Sequence, residues 1–141
     1  MTGPDKRQDP HDPVARYLAE RGVSAKVRNM GLRGIVMQWD GISSRAERYD
    51  LTLDDWLNDL DLRDIIDGAM SVAREDERRE LQAVLARADE RFRRATVESP
   101  KPLVVGADRT AQWWYLRHPA QPGAGMRDDL IAAGLLARGT R

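Results

Sequence analysis

The chain has 141 residues and a mass of 16.0 kDa, the length of one domain able to bury its own core. It has no cysteine and only two histidines, His11 and His118, which excludes disulfide scaffolds, thiolate zinc sites, cysteine nucleophiles and histidine-rich metal centres. Lysine plus arginine is 23 and aspartate plus glutamate is 23, so the net charge is zero and a uniformly basic nucleic-acid binder is excluded.

No run approaches the roughly 20 apolar residues of a membrane span, and no membrane partner is expected. Met1–Pro13 lacks the apolar stretch of a signal peptide, so a cytoplasmic location is the simplest expectation. Residues 1–11 are polar and proline-punctuated and read as a disordered lead-in; 12–141 read as a single domain. Asp12-Pro13 has the pattern of an N-cap followed by proline at the first helical position. Val14, Tyr17 and Leu18 follow at helical spacing, and Gly22 supplies a left-handed stop.

Val23, Ala25 and Val27 alternate with polar residues, which predicts a strand. Ile35–Trp39 has strand composition, Asp40-Gly41 comes next, and Ile42–Tyr49 follows. Asp-Gly between two such runs predicts a β-hairpin, because a type I′ turn needs positive φ at both central residues. Thr52 then caps a helix, with Asp55 at N3 and Leu51 placed to staple onto Trp56. A wide apolar face runs from Ile65 to Ala73, and the charged run Arg74–Glu80 interrupts it. That interruption is either one solvated turn or a break between two helices. The stripe resumes through Leu81, Val84, Leu85, Ala88, Phe92 and Ala95, packing on the chain's own sheet or forming the seam of a homodimer.

Ser99-Pro100 ends the helical region. Leu103–Val105 and Gln112–Arg117 read as strands, and Asp128 reads as the cap of a last short helix. Strands and helices come in runs, so the expected fold is α+β. It would be a single domain with a small antiparallel sheet, made of the Asp40-Gly41 hairpin and the Trp113–Arg117 strand, and helices on one face.

The main functional clue is charge polarity. Asp50, Asp54, Asp55, Asp59, Asp61, Asp64 and Asp67 face only Arg63, so residues 49–67 carry about −6 between two modestly basic flanks. Aspartates favour helix starts. The same block also suits a surface that steers and docks a basic protein partner. As a metal site it fails. Asp59–Asp64 begins like a calcium loop, but Arg63 stands at a ligand position, Asp64 replaces the glycine and Met70 stands at position 12. Asp54-Asp55-Trp56-Leu57-Asn58 matches an aspartate-rich magnesium box only in its first pair. No metal and no cofactor is expected.

The second clue is Trp113-Trp114-Tyr115, beside Arg117 and His118. On a strand, Trp113, Tyr115 and Arg117 share one face. Such a face either lies in the core, walls a ligand or active-site pocket, or stacks single-stranded bases, although zero net charge disfavours nucleic acid. His118 would be a general base only if a carboxylate such as Asp108, Asp128 or Asp129 oriented it. No nucleophile elbow, phosphate loop or dinucleotide fingerprint accompanies it. The leading expectation is therefore a non-enzymatic, cytoplasmic interaction module of the inhibitor, immunity or antitoxin kind. It would present Asp50, Asp54, Asp55, Asp59, Asp61 and Asp64 to a basic partner.

Overall fold

The structure is a computed structural model that describes residues 11–139. The expected lead-in over 1–11 lies, except for His11, outside the described residues. The elements in chain order are α1 (Pro13–Arg21), α2 (Ala25–Arg45), α3 (Leu53–Val72), α4 (Glu75–Ala95), β1 (Thr96–Glu98), a 3₁₀ turn (Trp113–Leu116), β2 (Arg117–Pro119) and α5 (Ala124–Ala132). Helix α2 packs chiefly on α4 and also on α3, α1 lies on α3 and α2, and α5 rests on α3. The class is α+β, a single domain with one small antiparallel sheet.

The local signals at the start of the chain are used as read. The Asp12 carboxylate accepts the Val14 N–H at 3.2 Å, and Gly22 closes α1 at φ 77°. Thr52 and Asp55 form the reciprocal capping box at the start of α3. Of the two residues expected to staple, Trp56 is fully buried and Leu51 is 58% exposed. The charged run 74–80 is a break between two helices. Arg78 secures it, donating from Nε to the Met70 carbonyl and from Nη2 to the Ala73 carbonyl, both at 2.9 Å. These bonds satisfy acceptors that the end of α3 would otherwise leave open.

The expected sheet residues are corrected. Val23–Val27 is not a strand: Ser24 caps α2, and its hydroxyl accepts the Val27 N–H at 3.3 Å. The Asp40-Gly41 hairpin does not form, because both residues lie inside α2. Ile35, Val36, Trp39, Ile42 and Ser43 are buried, a helical period that matches the face toward α4. Asp40 is fixed by Arg91 of α4 at 2.9 Å. The bend in α2 falls instead at Gly31, whose φ of 67° would strain any residue with a Cβ.

Trp113–Leu116 is a 3₁₀ turn and not a strand, so Trp114, Tyr115 and Leu116 are buried in succession without alternating. Leu103–Val105 forms no strand either; the Leu103 N–H donates to the Tyr115 carbonyl at 2.7 Å, and the Val104 carbonyl accepts the Ala107 N–H at 3.3 Å. The actual sheet pairs Thr96 with Pro119, Val97 with His118 and Glu98 with Arg117. Gly123 is the N-cap of the last helix, and Asp128 lies within that helix.

The core is organised around rings. Phe92 of α4 lies 4.7 Å from Trp39 and 5.4 Å from Trp56, centroid to centroid, and 5.9 Å from Trp113. Tyr49 meets Trp56 edge-on at 4.8 Å. The Trp56 indole N–H donates to the Arg117 carbonyl at 3.1 Å, which ties α3 to the sheet. The Leu81–Phe92 stripe is spent on this core, with Leu81, Leu85, Ala88 and Phe92 all buried.

Candidate functional site

Helix α3 presents two unlike sides. Inward, Arg63 forms a two-pronged bond with Asp89 of α4, Nε to Oδ1 and Nη2 to Oδ2, each at 2.9 Å. The Trp39 indole N–H donates to the same Asp89 oxygen at 2.9 Å, and the guanidinium sits 4.6 Å from the Trp114 ring centroid. Arg63 is 6% exposed. The single cation of the aspartate block is therefore turned inside and neutralised by a carboxylate from another helix.

Outward, the aspartates are held mostly by neutral donors. The Tyr49 hydroxyl donates to Asp59 at 2.7 Å, and the Tyr115 hydroxyl donates to Asp61 at 2.6 Å. Asp55 accepts from the Thr52 hydroxyl at 2.8 Å and from the Thr52 N–H at 3.1 Å. Asp64 accepts from the Gln112 amide and pairs with Arg21, both at 2.9 Å. Asp54 is exposed, and Asp67 has only Arg63 at 3.9 Å. Asp50 lies at the start of α5, where a Cβ on Gly123 would fall 2.0 Å from its Oδ1.

These environments move the titrations in different directions. Burial raises the Asp59 carboxyl above its ordinary 3.8, outweighing the Tyr49 bond. Burial, followed by the bond to Asp59, raises the Tyr49 hydroxyl well above its usual value; burial and Asp61 do the same to Tyr115. The Thr52 hydroxyl and then the Thr52 N–H lower Asp55.

The aromatic cluster belongs to the packed core. Trp114 is 1% exposed, Tyr115 is buried, and Trp113 is half-buried with the Arg93 guanidinium 3.8 Å from its ring centroid. Arg117 donates to the Thr96 hydroxyl at 2.7 Å and to the carbonyls of Thr96 and Arg93 at 2.9 and 3.2 Å, so it caps the end of α4. His118 is buried, with Nδ1 3.0 Å from the Pro119 carbonyl. Of the three carboxylates considered as its orienting partners, Asp128 is exposed and the other two are engaged elsewhere. Asp108 accepts the N–H groups of Thr110 and Ala111, and Asp129 accepts the Leu53 N–H.

A cleft of about 310 Å³ opens between the end of α2 and the start of α3. It is lined by Ile42, Arg45, Arg48, Tyr49, Asp50, Leu51 and Asp59. It brings together two aspartates of the block and three residues, Arg45, Arg48 and Tyr49, that sequence reasoning did not single out. The available signal was local: Arg45, Arg48 and Tyr49 precede Asp50 and Leu51 within one turn-length of chain, between the two helices. Among the described residues, no group of three or more His, Cys, Asp or Glu is placed to hold a metal ion, and no helix is long and apolar enough to cross a membrane. No protein-family model matches the chain, and neither a curated protein nor a solved structure does.

Proposed function

We propose that this protein is a non-catalytic, cytoplasmic interaction module of the inhibitor, immunity or antitoxin kind, docking the acidic side of α3 on a basic protein partner. The observation that carries this reading is the inward turn of Arg63. Its close bonds go to Asp89 at 2.9 Å, with Asp67 at 3.9 Å, so it offsets the outer aspartates less than the sequence suggests. Tyr49, Tyr115 and Thr52 hold Asp59, Asp61 and Asp55 without cancelling their charge, while Asp64 is shared between Gln112 and the Arg21 guanidinium. Fixed side chains lose less freedom on association, and a single-sign patch speeds encounter with an opposite one.

The test is affinity capture on wild type and on the triple variant Asp54→Asn/Asp61→Asn/Asp67→Asn, followed by identification of bound proteins. Wild type is expected to retain a basic protein at low ionic strength and to release it near 1 M salt, where the screening length is about 3 Å. The variant is expected to lose that protein. Identical partners on both baits at both salts would sink the proposal.

A further inference from the structure

The cleft at the α2–α3 junction carries charges of both signs that do not meet. Among the described residues, Arg45 and Arg48 form no ion pair, and neither does Asp50. Asp59 takes its hydrogen bond from the neutral Tyr49 hydroxyl, although Arg45 is close enough to act on it electrostatically. That bond occupies Oδ2, and among the described residues Oδ1 has no hydrogen-bond donor. The apolar part of the wall is Ile42 and Leu51, and Leu51 is 58% exposed when its position before α3 would suit burial.

We infer that this cleft is a binding site for a small zwitterion, an α-amino acid with an aliphatic side chain. The carboxylate of the ligand meets the Arg45 and Arg48 guanidinia, which suit a planar anion. Its ammonium meets the free Asp59 oxygen, and its side chain covers Leu51 and Ile42. A plain anion would face Asp59 and Asp50 uncompensated, and a plain cation would face both arginines. A ligand carrying both charges meets wall groups of both signs. The volume, about 310 Å³, lies at the small end of ligand sites and suits a single amino acid, not a nucleotide-sized cofactor. An ammonium beside Asp59 would also offset the burial that raises its titration. The proposal goes beyond the interaction reading and is separable from it, because Asp54, Asp61 and Asp67 do not line the cleft.

The experiment is calorimetric titration and thermal unfolding of the full chain with L-leucine, L-isoleucine, L-valine and L-methionine, up to about 10 mM. N-acetyl-L-leucine and L-leucine methyl ester, which each lack one of the two charges, are run alongside. At least one free amino acid is expected to bind saturably and raise Tm, with both blocked forms weaker by about tenfold or more. Arg45→Gln/Arg48→Gln should abolish the effect. Asp59→Asn should weaken it by about tenfold while keeping an acceptor for Tyr49. Absence of binding by all four amino acids would overturn the inference. So would equal binding of a blocked form, or unchanged binding by the double arginine variant.

Discussion

The two sides of α3 solve opposite problems with the same chemistry. On the inner side a buried guanidinium meets a largely covered carboxylate, and Asp89 takes three hydrogen bonds from Arg63 and Trp39. On the outer side Asp59 and Asp61 each take one bond from a tyrosine hydroxyl, and each keeps a second oxygen for solvent or a partner. The difference lies in what happens when a partner is lost. An inner group has no water to fall back on, so its partners are obligatory. An outer group rehydrates, so its bonds fix direction more than they fix the fold.

The sharpest way to break this contrast is Asp89→Ala. It strands the Arg63 charge and the Trp39 indole N–H in the core at once, with an expected loss of about 3–5 kcal/mol in urea unfolding. Replacing both charges together, as Arg63→Met/Asp89→Leu, is expected to recover most of that loss, because the penalty comes from the orphaned charge and not from the absence of the pair. A double variant as unstable as the single one would show that the pair itself holds the helices in register. On the outer side, Thr52→Ala removes the hydroxyl from the capping box and should cost about 1 kcal/mol by the same measurement. A loss as large as that of Asp89→Ala would erase the distinction between the sides.

How far each region could be read from sequence follows the same division. The α1 and α3 starts were legible because capping is local: Asp12, Thr52 and Asp55 bond to backbone two or three residues away. The aspartate block was legible as charge, but the burial of Arg63 was not, because it depends on Asp89, 26 residues further along the chain. The hairpin failed for a related reason. Ile35, Val36 and Trp39 suit a strand by composition and a helix by period, and Asp40-Gly41 tipped the reading toward a turn. Packing on α4 and the Arg91–Asp40 bond outweigh both local preferences. Trp113–Leu116 was legible as a functional or core cluster but not as a turn. Only three residues of the chain that follows find a strand to pair with.

The last and smallest effect lies within the outer side, where Asp55 and Asp59 occupy one helix but titrate in opposite senses. Asp55 is lowered, so its stabilisation is present above its ordinary value of 3.8 and fades as pH falls through the lowered one. Asp59 is raised by burial, so between 3.8 and its raised value the folded chain holds a proton that the unfolded chain has released. Its favourable contribution is therefore full below 3.8 and is lost as pH rises through the raised value. Asp59→Asn keeps the acceptor for Tyr49 and removes this titration. Its stability relative to wild type should then be higher at about pH 7 than at about pH 3, as read by urea midpoints across that range. A difference that stays constant with pH, or slopes the other way, would place Asp59 with the freely solvated carboxylates and remove the electrostatic tension that marks the cleft.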